Sequence, residues 1–207
     1  MDSRYLSRLA EAYQRGHKMM YSDNDDAPEV KLHYFKIKED LPRVQAVMSF
    51  IRAIVPAGRC NNLLDIGSGR GAFLFPLLRD FPTLEIESID ILPHRVEFLE
   101  CISRGGVYNL KAKLGDICTA DYPETSFDVV SLLEVLEHIP DAEKALMNAV
   151  RIARNYVIVS VPSKPDDNPE HIHLFSADQM SEMLLRAGCR KVKTMGVTGH
   201  NIFIATK

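Results

Sequence analysis

Asp65, Gly67, Ser68, Gly69 and Gly71 belong to the run Leu63-Leu64-Asp65-Ile66-Gly67-Ser68-Gly69-Arg70-Gly71, in which an apolar stretch closes on a carboxylate and glycine then recurs at every second position. That pattern is a strand, a tight turn and a helix start near Ala72. Glycine lacks a Cβ, so the backbone can pass close to a ligand, and the free N–H groups of a helix start supply hydrogen-bond donors. A nucleotide-like ligand suits such a turn. Nineteen positions after Gly71, Ile86-Glu87-Ser88-Ile89-Asp90 reads as a second strand ending in a carboxylate, placed to accept hydrogen bonds from a ribose diol. Capping a helix ahead of Pro93 is a second use for the same side chain.

A second group of chemically capable residues lies further on. Glu134, Glu137 and His138 stand at i, i+3 and i+4, so a helical turn there would set all three on one side. After a later strand, a polar loop carries His171 and His173 before Ser176, where Ser176 with Gln179 three positions on predicts a helix capped at both backbone ends. A histidine in this region could take a proton from a nucleophile. His138, His171 and His173 are the candidates, and a backbone-bonding structural role is the alternative for at least one of the later pair.

The surrounding elements must bring these groups together. Apolar spacing predicts helices over Tyr5–Tyr13 and from about Leu41 to Val55. Strand-like runs follow at Asn62–Ile66, Leu84–Ile89, Tyr108–Ala112, Phe127–Leu132, Tyr156–Val161, Cys189–Thr194 and Asn201–Ala205. Helical segments are predicted at Gly71–Asp80, Pro93–Ser103 and Ala142–Arg154, with an irregular stretch at Asp116–Glu124. Alternation of this kind predicts an α/β fold, a doubly wound and mostly parallel sheet with helices on both faces. The last two strands, separated by a short link containing Gly196 and Gly199, predict an antiparallel hairpin.

Bulk properties narrow the choices. The 207 residues are 46% hydrophobic and 26% charged, which suits one globular domain with a substantial core. A formal net charge of -3 gives no global basic field for nucleic acid. Four dispersed cysteines without a C-x-x-C pair argue against a zinc knuckle or disulfide framework, and no apolar run reaches about 18 residues. With no signal-peptide pattern at Met1-Asp2-Ser3-Arg4, a cytoplasmic protein without a membrane span is expected.

Taken in order, these motifs resemble the class I S-adenosylmethionine-dependent methyltransferases. The resemblance covers Pro42 to Lys207 and rests on the glycine run, Asp90, Gly115-Asp116-Ile117, and Phe127-Asp128-Val129-Val130 leading to Glu134-Val135-Leu136-Glu137-His138-Ile139-Pro140-Asp141. The last stretch is close to that of many small-molecule methyltransferases, including those of ubiquinone biosynthesis. The resemblance implies a Rossmann-like seven-stranded sheet with a reversed final strand and residues 41–207 as the cofactor-binding domain; residues 1–40 lie outside it and read from their own charged and aromatic residues as a helical extension, either a solvated face or a lid. Tyr34 and Lys36 are the candidate lid contacts.

The same resemblance implies roles. S-adenosylmethionine, leaving as S-adenosylhomocysteine, would pass its methionine part over Gly67, Ser68, Gly69 and Gly71, with Asp65 on the amino group and Asp90 on the ribose. Asp116 would accept from the adenine amine while Ile91 and Ile117 pack on the ring. Glu134 would border the cofactor, and Glu134, His138 and His173 are the candidate catalytic residues. Methyl transfer needs mostly alignment of the nucleophile behind the sulfonium, so few such residues are expected. Two chemistries are disfavoured: no Asn/Asp-Pro-Pro-Tyr follows the fourth strand, and no cysteine lies in the loops after the fourth and fifth.

Glu-x-x-Glu-His with a later histidine is also similar to the metal-dependent ribose 2′-O-methyltransferases of small-RNA 3′ ends. The later histidine comes sooner here, the neighbouring basic residues are missing, and Glu-Val-Leu-Glu-His recurs in methyltransferases that need no metal, so no metal is assigned. A non-catalytic module binding the same cofactor is another alternative. A nicotinamide oxidoreductase is disfavoured because the third glycine comes one residue early. The expected partner is a small-molecule acceptor, with nucleic acid not favoured, in a monomer or homodimer; the motifs leave the acceptor and its reacting atom open.

Overall fold

The computed structural model describes residues 3–21, 35 and 40–207. Tyr34 and Lys36 lie outside the described residues. The elements run α1 (Ser3–Tyr21), α2 (Pro42–Ile54), β1 (Asn62–Ile66), α3 (Leu74–Asp80), β2 (Glu85–Asp90), α4 (Pro93–Arg104), β3 (Leu110–Leu114), β4 (Phe127–Leu133), α5 (Ala142–Ile152), β5 (Ala153–Pro162), α6 (Ala177–Arg186), β6 (Lys191–Val197) and β7 (His200–Thr206). Seven strands form one sheet in the order β3-β2-β1-β4-β5-β7-β6. The first five are parallel, and β7 runs antiparallel between β5 and β6. The α/β architecture and the terminal hairpin are those expected from the sequence.

The period of two along each strand divides the core. Leu63, Val129, Ile158 and Ile202 pack on one face with α2, α3 and α4, whereas Leu64, Val130, Val157 and Phe203 pack on the other with α5 and α6. Both faces of the central strands are therefore dry, which is why β1, β4 and β5 read as nearly continuous apolar runs.

Local chemistry sets the ends of the helices. Pro42 and Pro93 open α2 and α4 at positions whose N–H would have no intrahelical partner. Asp141 caps α5 by accepting from Lys144 N–H at 3.0 Å, and the Ser176/Gln179 box at α6 is closed in both directions. The helix predicted from Gly71 begins only at Leu74, because Pro76 has no N–H to offer Ala72 and the glycines hold the preceding residues in turns. The helix predicted to run to Arg154 stops at Ile152, since Ala153 already pairs with Phe127 in the sheet. Likewise β3 starts at Leu110 and β6 at Lys191, each two residues later than the apolar pattern suggests.

The predicted Tyr5–Tyr13 helix extends over nineteen residues as α1 and lies against α4. Two glycines permit the approach: a Cβ on Gly16 would stand 1.8 Å from Cys101 O, and one on Gly105 would stand 1.6 Å from Ala12 O. Around this crossing Tyr13 packs on Phe98 with ring centroids 5.2 Å apart, and Arg15 Nε donates to Gly105 O at 2.9 Å. Phe35 adds its ring to Phe75 and Phe98. No helix among the described residues is long and apolar enough to cross a membrane.

Backbone carbonyls cannot give way as a side-chain tip can, so Gly16→Ala is expected to cost about 1–3 kcal/mol despite alanine's better helix propensity. Urea denaturation should show a lower midpoint, and limited proteolysis should show earlier cleavage within α1. Unchanged values in both would mean that α1 does not seat on α4 as described.

Candidate functional site

Strand order reverses between β1 and β4, so the connections leaving these neighbours part to opposite sides and open a crevice at their carboxyl ends. Into it project the loops after β1, β2, β3 and β4. Gly67 N–H donates to Ile89 O at 2.8 Å, which ties the exit of β1 to that of β2, and Gly71 N–H closes the turn on Ser68 O at 2.9 Å. Gly67 and Gly71 have φ of +66° and +81°. A Cβ on Gly71 would lie 2.1 Å from the Phe75 ring, and one on Gly67 would lie 2.8 Å from Val135 Cγ2. At Gly69 the same added atom would meet nothing nearer than 3.9 Å, so the loop presents bare backbone to open space there.

Asp65 ends β1 beneath this loop and is only 3% exposed. Its two oxygens accept from Ser68 Oγ at 2.5 Å and Ser131 Oγ at 2.7 Å, and Ser68 is in turn 2.7 Å from Ser88 Oγ. Burial raises the Asp65 carboxyl to about 6, against the opposing pull of the two serine hydroxyls. A cation reaching this carboxylate would relieve that cost. Asp65, Ser68 and Gly67 line a small cavity with Arg43, Ala72 and Phe73.

Asp90 lies at the end of β2, where one oxygen accepts from Leu92 N–H at 2.9 Å. Its other oxygen has no protein partner among the described residues. Both uses foreseen for Asp90, a local cap and an acceptor for a ligand, are thus geometrically compatible. Gly115 N–H donates to Asp90 O at 3.0 Å and draws the β3 loop alongside. In that loop Asp116 is exposed and turns the chain by accepting from Cys118 N–H at 2.8 Å. Ile91 is 65% exposed, a large apolar side chain in the open beside Asp90, whereas Ile117 is 3% exposed and packs into the core under α5.

The residues after β4 are arranged differently from the helical face the spacing suggested. Glu134 has φ of +61° and only Leu136–His138 form a single 3-10 turn, so the three residues do not share the face of a continuous helix, although Glu137 and His138 keep a ligand atom each within 4.8 Å of one another. Glu134 accepts from Ser160 Oγ at 2.7 Å and pairs with His200 Nε2 at 2.9 Å. Burial alone would raise the Glu134 carboxyl, but the hydrogen bonds from His200 and Ser160 together bring it below its usual range. The hydrogen bond to Glu134 raises His200 more than burial lowers it. This is a charged, two-sided clamp.

Glu137 is fully buried, and neither of its carboxylate oxygens has a partner among the described residues. Burial first, then the neighbouring Glu134 charge, pushes this carboxyl up to about 8. His138 Nδ1 is 3.0 Å from Glu170 O, and His171 Nδ1 is 2.9 Å from Asp166 Oδ1. His173 Nε2 lies 3.1 Å from Ile139 O and 3.3 Å from Pro140 O, so that nitrogen is a donor holding the loop to the turn after β4. Further ties run from Ile172 and His173 N–H to Glu137 O.

Arg43, Ser160 and His200 escaped the reading of the sequence. His200 was accessible in principle: a strand antiparallel to β5 must begin at the carboxyl end of the parallel strands, where Pro162 stands opposite His200. Arg43 reaches the site from α2, and no local motif marks it.

These residues suit an adenosyl-type ligand bearing an ammonium. The bare loop at Gly69 leaves room for close approach, Asp65 is an acid in need of a cation, and Asp90 keeps a free acceptor beside the exposed Ile91. A wider depression lined by Cys118, Asp121, Asp141, Lys144 and Arg151 includes none of the glycine loop.

Comparison with known proteins gives a consistent picture. A family model described as a methyltransferase domain matches residues 38–194. Ajmaline N-methyltransferase from Rauvolfia serpentina is 25% identical over 120 residues, covering 57% of this chain and 38% of that protein. The chain spans little more than a third of the length of the curated relatives it matches. Among solved structures, the [4+2]-cyclase SpnF superposes with a TM-score of 0.62 at 17% identity, over 79% of this chain and 81% of that one. PigF with SAH superposes with a TM-score of 0.60 at 18% identity, over 99% of this chain and 69% of that one. These two likenesses concern the fold.

The buried Asp65 makes the site's electrostatics measurable without a ligand. The folded protein keeps the Asp65 proton up to about pH 6, whereas the unfolded chain releases it near 3.8. Between those values the folded state binds more protons, so this group's contribution to stability is complete below about pH 4 and is lost as pH rises through 6. Comparing urea denaturation across that range, Asp65→Asn should remove a decline of roughly 3 kcal/mol that the unaltered protein shows. Parallel curves for the two proteins would mean that Asp65 is ionised in the folded state throughout.

Proposed function

The chain belongs to the methyltransferase-domain family, and from that membership we propose that it binds S-adenosylmethionine at the crevice between β1 and β4 and transfers its methyl group to a small-molecule acceptor. The observation that carries the reading is the convergence of the Gly67–Gly71 loop, Asp90, Asp116 and the turn after β4 at one end of the sheet. When bound, the cofactor supplies a methyl group made electrophilic by its sulfonium.

The chain's own residues do the holding. Asp65 takes the cofactor's ammonium, which pairs a carboxylate whose charge burial disfavours. Gly67, Ser68, Gly69 and Gly71 present backbone to the methionine part. The free oxygen of Asp90 accepts from the ribose hydroxyls, while Asp116 accepts from the adenine amine. Ile91 lies against the ring from the open side, and Ile117 supports it from the core. Glu134, held by Ser160 and His200, fixes the wall next to the methyl group. His173 anchors the loop of residues 163–175 to the turn after β4, and His138 ties the same turn to Glu170.

Residues 41–207 form the binding domain in this reading, and residues 1–40 are its extension. Support for a small-molecule acceptor comes from the Rauvolfia relatives, named as N-methyltransferases of ajmaline and norajmaline. The net charge of -3 points the same way, since it offers no attraction to a polyanion.

Two measurements test the reading. Calorimetry should show S-adenosylmethionine binding with one site per chain, weakened by about 1.5–3 kcal/mol in Asp90→Ala through loss of charge-assisted hydrogen bonds; equal affinity in the variant removes Asp90 from the site. Incubation with isotopically labelled methyl donor and a small-molecule extract should place label in a discrete product. Binding without any labelled product across chemically diverse fractions would contradict transferase activity.

A further inference from the structure

Buried carboxylates are ordinarily paired or hydrogen-bonded, because an isolated charge in the interior costs several kcal/mol. Glu137 is fully buried with both oxygens unpartnered, a combination that calls for a missing partner. What stands beside it is informative. One potential ligand atom from each of Glu137, His138 and His171 lies within 4.8 Å of the other two.

Both histidines are held as ligands are. His138 directs Nδ1 at the Glu170 carbonyl and His171 directs Nδ1 at the Asp166 carboxylate, so each ring is fixed with Nε2 unengaged by the described residues. In metal sites the histidine nitrogen that does not bind the ion is typically engaged by a carbonyl or carboxylate, which fixes the tautomer and makes the other nitrogen more basic. The two rings meet edge to face with centroids 4.7 Å apart. Ligands about 2.0–2.2 Å from a tetrahedral ion are about 3.4 Å from one another, so from a spread of at most 4.8 Å the cluster needs to close by about 1.4 Å at most around an ion.

We propose that Glu137, His138 and His171 form a binding site for a first-row divalent cation, with zinc as the representative ion. Two imidazoles and one carboxylate match the donor preference of such ions, and three protein ligands leave a position for water or another oxygen donor. Glu134 and His173, the other members of the Glu-x-x-Glu-His arrangement read from the sequence, take no part: the first is occupied by Ser160 and His200, and the second by backbone carbonyls. His138 is therefore a ligand in this account and not the base that the sequence suggested. The site is formed by protein residues alone, and its occupancy is independent of whether the cofactor pocket works as proposed.

The test uses the full chain, stripped with chelator and equilibrated with zinc without cofactor or acceptor. Retained metal should be about one equivalent per chain by elemental mass spectrometry, and the melting temperature should rise with zinc concentration. Glu137→Gln and His171→Ala should each lower zinc affinity at least tenfold, with far-UV circular dichroism confirming that they are folded. Asp166→Asn should lower it about tenfold through the loosened His171 ring. Cys118→Ser, which alters the one partly exposed cysteine, should leave uptake unchanged. The proposal is overturned if the folded, unaltered chain retains no zinc, if both ligand variants bind as it does, or if uptake disappears with Cys118 instead.

Discussion

The reversal of strand order between β1 and β4 is the constraint on which the rest depends. Parallel neighbours whose connections leave toward opposite faces cannot be roofed at that end, so the backbone there is left open to a ligand while everything beneath is packed on both sides. The glycine loop and Asp65 sit at that opening. Gly67 and Gly71 allow the loop to press against Val135 and Phe75, and Gly69 leaves its outer side bare. Asp65, pinned by Ser68 and Ser131, brings to the floor of the crevice an acid whose charge is disfavoured by burial and would be favoured by a bound cation.

Acids of three distinct kinds are gathered at this end of the sheet. Asp65 is buried but hydrogen-bonded, Glu134 is paired with His200 and charged, and Glu137 is buried without a partner. The differences follow from register: β7 runs antiparallel beside β5, so His200 arrives at the mouth where Glu134 can meet it, while Glu137 turns inward on a single 3-10 turn. A short stretch of chain therefore separates the Glu134–His200 pair from a second cluster that includes both His138 and His171.

Much of the fold was legible because local pattern and global architecture agree. Alternating apolar runs predicted the seven strands and the terminal hairpin, and the position of Asp90 at a strand end followed from Ile86–Ile89 alone. Boundaries slipped where one residue overruled a trend: Pro76 delays α3, and sheet pairing at Ala153 ends α5. Glu137 and His138 do come together, but not as part of a helical face shared with Glu134, because an i, i+3, i+4 argument holds only for a continuous helix and Glu134 adopts a left-handed backbone instead. Ser160 and His200 depend on pairing between distant strands, and Arg43 arrives from a helix some twenty residues before the glycine loop. No local spacing encodes such contacts.

The most direct test of the central claim is a crystal structure of the chain with S-adenosylhomocysteine. The account places the amino group at Asp65, the backbone of Gly67–Gly71 along the homocysteine, the ribose hydroxyls on the free oxygen of Asp90 and the adenine beside Ile91 and Asp116. Density for the compound elsewhere, or an adenosine whose ribose makes no contact with Asp90, would contradict it.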